Sequence, residues 1–313
     1  MTARTRTLVT FMLIGASAAC WRISSAPRAA PQLWLPGSPR VITADTAVSG
    51  LEGGIVVLDS ASFRPVLLRG GNGIATFTNY QGTRYHPEAV RAIVEDPSVI
   101  DTFSGAVVRA LTSAGKGVLL DLQGMSPSDL PRLIDLVRAI GNRSRAASLS
   151  PVGIIIPAGD TLAYPAPMLA RVADIVVIRL GSEHRPGTSP GPLATPEFIA
   201  RELGSRAIGL GASRLAAEFP LYGYLWNRDG SARIITYRDA NNLVLHEAGV
   251  FNRDPASQYL TASGRDGWTI WIPDARTVAR MIDAARGRGV NIIALTGIAG
   301  ADPAIGRGTA FKR

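Results

Sequence analysis

The sequence predicts an α/β chain folded as a single (β/α)8 TIM barrel. Three observations carry this expectation. A chain of 313 residues with 46% hydrophobic content has the length and core-forming capacity of one such barrel, which takes about 250 residues. From residue 39 onward, short runs rich in Val, Ile and Leu alternate with segments whose apolar residues recur at helical spacing. The runs lack polar alternation, as strands buried on both faces of a parallel sheet do.

The elements follow in order. Residues 1–20 read as an export leader: Arg4 and Arg6, a short apolar run Leu8–Ile14, then the small residues Gly15–Ala19. That apolar run is too short to span a bilayer. Cys20 is the only cysteine, which excludes an internal disulfide and a multi-cysteine metal site. Its place after small residues matches a bacterial lipoprotein cleavage box, except that Ser17 stands where that box has Leu. Lipidation at Cys20 and ordinary cleavage within Ala16–Ala19 both stay open. Residues 21–38, rich in Pro, Ser and Ala, suit a tether. That leaves 39–313 as the barrel domain of an exported, envelope-attached or secreted protein.

Apolar runs occur at Gly54–Leu58, Val66–Arg69, Ile74–Thr78, Gly117–Leu122, Val152–Ile156, Ile175–Leu180, Leu215–Leu221 and Val290–Leu295. Val66–Arg69 and Ile74–Thr78 are too close to enclose a crossover helix. A hairpin of the first two runs around Ser60–Ser62 is the alternative, so the first quarter departs from regular alternation. Helical spacing marks Pro87–Glu95, Val99–Ser113, Asp129–Ile140, Pro196–Leu203, Tyr237–Ala248 and Ala275–Arg286. Ser126 with Asp129, and Thr236 with Asp239, read as helix N-caps, and Gly141 and Gly289 as stops.

The formal charge is +9, almost all of it arginine, with Lys116 and Lys312 the only lysines. No basic run is interleaved with aromatics, so nucleic acid is not an expected partner. Three scattered histidines give no metal-ligand spacing. His86 and His246 fall at helical segments and read as structural. There is no phosphate loop, dinucleotide fingerprint or G-x-S-x-G, and no metal or cofactor is expected.

Gly117-Val-Leu-Leu-Asp-Leu-Gln-Gly124 runs from a strand into a loop, with Asp121 and Gln123 on the same side by period two. This stretch resembles the D-x-x-D-x-D-x-E strand of glycoside hydrolase family 18. Lys116 and Leu119 fall on the first two Asp positions, Asp121 on the third, and Gln123 on the catalytic Glu. Ala173 to His184 resembles the family's sixth-strand segment. There the Met-x-Tyr-Asp residues fall on Arg179, Leu180, Gly181 and Ser182, while Glu183, His184 and the later Pro190-Gly-Pro192 are kept. Phe219-Pro-Leu-Tyr-Gly-Tyr-Leu-Trp226, Ile235-Thr-Tyr-Arg-Asp-Ala240 and Trp271-Ile-Pro-Asp-Ala-Arg276 resemble three further strings in the family's order. After Ala294-Leu295, Thr296 stands where many members have Trp. The resemblance covers residues 73–303, and its nearest flavour is the bacterial spore-cortex and cell-wall subset.

The resemblance implies a barrel whose inherited chemistry is substrate-assisted. In it the Glu protonates the leaving oxygen, the Asp orients the substrate acetamido group, and the sixth-strand Tyr hydrogen-bonds that group. Gln123 keeps the shape of Glu without its proton, and general acid catalysis is worth about 10²–10⁴ in rate. Gly181 and Ser182 remove the orienting groups. An inactive, chitinase-like barrel that recognises an N-acetylglucosamine-containing glycan, such as peptidoglycan or an exopolysaccharide, is the first expectation. Its substrate-binding candidates are Asn79, Tyr80, Asp121, Gln123, Glu183, His184, Tyr222, Tyr224 and Trp226. Two alternatives stand beside it. One is a divergent hydrolase with its acid relocated to Glu183. The other is a structural envelope protein whose mouth is filled by Leu119, Arg179 and Leu180. Trp268 and Trp271 read as core or rim.

Overall fold

The computed structural model describes residues 32–37 and 52–306, within a unit spanning Pro31–Arg313. The leader, Cys20 and most of the expected tether lie outside the described residues. Eight parallel strands form the barrel: β1 Gln32–Trp34, β2 Ile55–Asp59, β3 Ile74–Thr78, β4 Gly117–Asp121, β5 Val152–Pro157, β6 Ile175–Arg179, β7 Leu215–Pro220 and β8 Ile292–Thr296. Around the ring the order runs β1-β8-β7-β6-β5-β4-β3-β2. Among the described residues it closes through one bridge, Leu35 with Glu52, where the Gly53 N–H donates to the Leu35 carbonyl at 2.8 Å. Only glycine fits at that seam, because a Cβ on Gly53 would lie 1.6 Å from the Ile74 carbonyl oxygen.

The barrel begins earlier than expected. Gln32–Trp34 pairs in parallel with Ile292–Ala294, so the first strand lies inside the stretch read as tether. Three residues are too few to register as an apolar run. Val66–Arg69 is correspondingly not a barrel strand. Arg64–Arg69 turns back antiparallel onto β2, as the hairpin alternative held, and forms an outer edge on which Val66, Leu67 and Leu68 are exposed.

Strands such as β2, β4, β5 and β7 are buried on both faces, which explains their continuous apolar sequences. Residues at period two point inward. Trp34, Leu119, Ile155, Val177, Ala216 and Ala294 meet in one interior cluster. Their neighbours, such as Val118, Leu120, Ile154, Val176, Leu215 and Ile293, pack outward into the main core. Each fully buried Leu, Ile or Val is worth about 1.5–3 kcal/mol over exposure.

The outer helices are α1 Pro87–Val94, α2 Pro97–Thr112, α3 Leu130–Ala146, α4 Ala166–Leu169, α5 Pro196–Ala207, α6 Tyr237–His246, α7 Ala275–Gly287 and α8 Pro303–Gly306. The N-caps at Ser126 and Thr236 form: Asp129 accepts from the Ser126 N–H at 2.8 Å, and the Asp239 N–H donates to Thr236 Oγ1 at 3.1 Å. Gly289, at φ +79°, follows the end of α7. Gly141 does not stop α3. The helix runs through it to Ala146, and Gly141 instead permits close approach, since a Cβ there would lie 3.3 Å from the Val172 carbonyl.

Between β7 and β8 the chain builds a five-stranded antiparallel sheet, ordered Ala232–Ile235, Gly223–Trp226, Thr269–Ile272, Leu260–Ser263 and Asn252–Arg253. It has its own core, in which Leu225, Ile235, Val244, Ile270 and Ile272 meet.

Candidate functional site

The C-terminal ends of the strands carry a polar layer above the apolar interior. Period two places Thr78, Asp121, Arg179, Glu218 and Thr296 two residues beyond interior positions on β3, β4, β6, β7 and β8. Asp121 and Glu218 are almost completely buried, and both meet Arg179. Arg179 Nη1 donates to Asp121 Oδ1 at 2.9 Å. Arg179 Nε lies 3.1 Å from each Glu218 carboxylate oxygen. Nη1 also donates to the Tyr85 hydroxyl at 2.5 Å, and that hydroxyl reaches Asp121 Oδ2 at 3.2 Å. Thr78 Oγ1 approaches the same oxygen at 3.3 Å. Burial works against a charged guanidinium, but Asp121 and Glu218 outweigh it and hold Arg179 protonated well above its ordinary range.

Gln123 sits at the next position outward. Its Nε2 donates to Asp121 Oδ1 at 2.9 Å and to the Ile155 carbonyl at 2.8 Å. Both partners are acceptors, which fixes the amide orientation and spends both N–H donors. Asn79 clamps the same backbone: its Oδ1 accepts from Gln123 N–H, and its Nδ2 donates to the Gln123 carbonyl, each at 2.9 Å. The Tyr164 hydroxyl secures the following loop by donating to the Leu122 carbonyl and accepting from Met125 N–H, each at 3.0 Å. Burial pushes that phenol's pKa up, so it stays a neutral bridge.

A cavity of about 330 Å³ opens above this layer. Its lining includes Tyr85, Gln123, Arg179, Glu218, Tyr222, Tyr224 and Thr296, with Gly181, Ser182 and Arg185 on the sixth-strand side. The structure thus brings together Asp121, Gln123, Gly181, Ser182, Tyr222 and Tyr224 from the expected set, Asp121 on the floor beneath. Gly181 admits no side chain here, because a Cβ would lie 2.7 Å from Pro220 Cγ.

Other expected site residues are engaged elsewhere. Glu183 does not line the cavity. Its carboxylate accepts from Thr195 N–H at 2.6 Å and Thr195 Oγ1 at 3.0 Å, just where α5 begins. His184 Nδ1 pairs with the Ser189 carbonyl at 3.0 Å and shapes the loop. Trp226 is only 1% exposed and lies edge-on to Tyr224 at 5.5 Å, so it offers no face to a sugar. Tyr80 packs edge-on against Tyr85 at 5.0 Å. Asn79 is fully buried in its clamp. The apolar plug does not form either: Leu119 lies one layer below, in the interior cluster, and Leu180 faces the outer core.

Sequence reasoning missed Tyr85 and Glu218 as site residues, and cast Arg179 only as filler. The signal was present for two of them. Glu218 is a lone acid inside Leu-Ala-Ala-Glu-Phe-Pro, and Arg179 ends an apolar strand. Period two aims both at the mouth.

The fold is a barrel like that of family 18 chitinases, with its polar mouth at the strand C-termini. No family model and no curated protein matches the chain. Solved structures do. A class V chitinase from Pseudomonas fluorescens is similar at TM-score 0.74 and 14% identity, over 89% of this chain and 98% of that one. The spore cortex-lytic enzyme SleL of Bacillus cereus is similar at TM-score 0.73 and 13% identity, over 88% and 73%. A glutamate-to-glutamine variant of the Nicotiana tobaccum class V chitinase, in complex with NAG4, is similar at TM-score 0.68 and 14% identity, over 90% and 98%.

Proposed function

We propose that the barrel mouth binds a glycan containing N-acetylglucosamine and does not hydrolyse it. One observation carries this reading. Gln123 occupies the acid position, and both donors of its amide are spent on Asp121 and Ile155. The other carboxylates of the mouth, Asp121 and Glu218, are both engaged by the Arg179 guanidinium. Glu183, the alternative acid, accepts two hydrogen bonds from Thr195 outside the cavity lining. The cavity supports binding over a purely structural role. The tobacco variant carrying glutamine for glutamate, similar in fold, is a complex with NAG4.

Calorimetric titration with chitin oligosaccharides and peptidoglycan glycan strands tests binding, and a reducing-end assay on the same substrates tests turnover. Binding without turnover is expected. Robust turnover that survives in the native chain and disappears in Glu183→Gln or Glu218→Gln would replace this reading with a divergent hydrolase. Export belongs to the same proposal: the leader and Cys20 point to a lipid-anchored or secreted envelope protein. Mass spectrometry of the mature N-terminus is expected to find cleavage near Cys20. A product retaining Met1 would reject export.

A further inference from the structure

The hairpin edge carries an apolar surface that the barrel core does not use. Phe63 at its turn and Leu68 on its outer strand are 44% and 53% exposed. Val66 and Leu67 are exposed alike, although adjacent strand residues point to opposite faces. The strand therefore stands clear of the body on both sides. Beside it runs an open groove of about 450 Å³, lined by Phe63, Arg64 and Pro65 of the hairpin and by one face of α2 from Val99 to Arg109. Exposed apolar residues scattered singly need no explanation, but a contiguous set marks a contact surface. The turn that presents it is built from side-chain bonds. Asp59 accepts from Ser62 N–H and from Gln81 Nε2, each at 3.1 Å, and Gln81 Oε1 accepts from Ser60 N–H at 2.9 Å. Phe63 itself sits at φ +53°, where a bulky residue is strained and Gly or Asn is at home. An exposed ring at that position costs the fold stability and adds little packing.

Charge selects the partner. Arg64 and Arg109 line the groove, and no acidic residue does. Asp101 on α2 is engaged by Arg143, and Asp59 is spent on the turn. The whole chain carries +9, which draws it toward anionic surfaces. Apolar side chains bordered by free basic heads match the layering of an anionic bilayer, with phosphate outside and acyl chains within. Other occupants fit less well. Pro65 offers no N–H to an added strand. A second copy paired antiparallel, centred on Val66 and Leu67, would set Arg64 of each copy opposite Arg69 of the other, and like charges so placed repel. A flat protein surface covers one face of a strand, whereas a lipid interface closes around both. We propose that the hairpin edge and the α2 groove dock on an anionic phospholipid bilayer, with Arg64 and Arg109 at lipid phosphates and Phe63 and Leu68 at the acyl boundary. The turn follows the C-terminal end of β2, the end of the barrel that bears the polar mouth, so docking sets the mouth close to the lipid surface. This surface is separate from the glycan reading above and does not depend on it.

The test uses the full chain carrying Cys20→Ser, which cannot be acylated, and vesicles of phosphatidylcholine with or without phosphatidylglycerol. Co-sedimentation is expected with phosphatidylglycerol and much less without it. Arg64→Gln combined with Arg109→Gln should weaken binding roughly thirtyfold, from about 1 kcal/mol for each arginine at an anionic surface. Phe63→Asn should weaken it about tenfold while leaving the melting temperature unchanged or higher; a ring that serves only the fold would lower it. An environment-sensitive dye on Leu68→Cys should brighten on the vesicles. The same dye on Leu245→Cys, exposed on α6, should not. That contrast separates the hairpin from the N-terminal apolar run, which every variant keeps. Equal binding to neutral vesicles, indifference to both arginines, a silent dye at Leu68→Cys, or no binding at all overturns the inference and leaves the glycan titrations untouched. Dimerisation in sedimentation that Leu68→Ser abolishes would overturn it too, and assign the edge to a second copy.

Discussion

At Gln123 a single amide replaces a proton donor, and its surroundings dictate what reversal would do. Gln123→Glu sets a carboxyl where Nε2 now donates to Asp121 Oδ1 and to the Ile155 carbonyl. While protonated it can donate to one of these acceptors. Once ionised it confronts Asp121, so its folded pKa is raised above the unfolded value. A raised group contributes its stability at acid pH and loses it as pH rises through the folded pKa. The variant's melting temperature relative to native is therefore expected to fall between pH 4 and pH 8. The loss is about 1.4 kcal/mol for each unit of elevation. A pH-independent difference would mean the carboxyl has turned away from Asp121. The reducing-end assay is expected to find no restored hydrolysis in this variant, because Gly181 still supplies no orienting hydroxyl and misplacement forfeits the gain from proximity. Asp121 and Gln123 were legible in the sequence because a strand-to-loop motif fixes their mutual spacing. Tyr85 was not. It comes from a separate short hairpin, Tyr80–Gln81 with Arg84–Tyr85, and periodicity says which way a side chain faces, not what it meets across a barrel.

Helix caps and short sheets decide the next scale. Asp274 opens α7 by accepting from Thr277 N–H at 2.9 Å, and it pairs with Arg253 of the inserted sheet. Burial opposes its charge, but the Arg253 and Thr277 hydrogen bonds outweigh burial and hold its carboxyl below the ordinary range. A depressed carboxylate contributes stability above its ordinary pKa and loses it as pH falls through the folded value. Asp274→Ala is expected to cost about 1–2 kcal/mol in urea unfolding at neutral pH, with the gap to native narrowing on acidification. A gap that widens in acid would show that the ionised form is not the stabilising one. The inserted sheet itself escaped the sequence reading, although Asp229-Gly230 and Asp266-Gly267 sit between alternating runs. Both glycines take φ +82°, and such Asp-Gly pairs are hairpin signals. The parallel strands were easier, because burial on both faces writes an unbroken apolar run. Gln32–Trp34 shows the limit of that rule: three residues suffice for a strand when neighbours on the barrel supply the burial.

For the whole molecule, the ring of strands matters more than any single contact. Leu119→Ala in the interior cluster is expected to cost about 2–5 kcal/mol by calorimetric melting, more than a substitution on the exposed Arg64–Arg69 edge. A smaller loss than that for Leu68→Ala would mean the interior collapses around the gap. The ring is not equally fastened throughout. β3 and β4 share five paired positions, and β7 and β8 share five, whereas among the described residues β1 meets β2 through the single bridge of Leu35 with Glu52. A cylinder with one lightly stitched seam behaves as a curled sheet with a clasp, and unzipping starts at the clasp. Amide deuteration should read this directly. The Gly53 N–H, bonded to Leu35, is expected to exchange through local opening, well ahead of the Val118 and Leu120 amides on β4, two strands along from β2. If Gly53 and Leu120 exchange together, the clasp opens only when everything does. If Gly53 leads, the barrel can part along one line while its polar mouth, anchored on β4, β6 and β7 away from that line, keeps its shape.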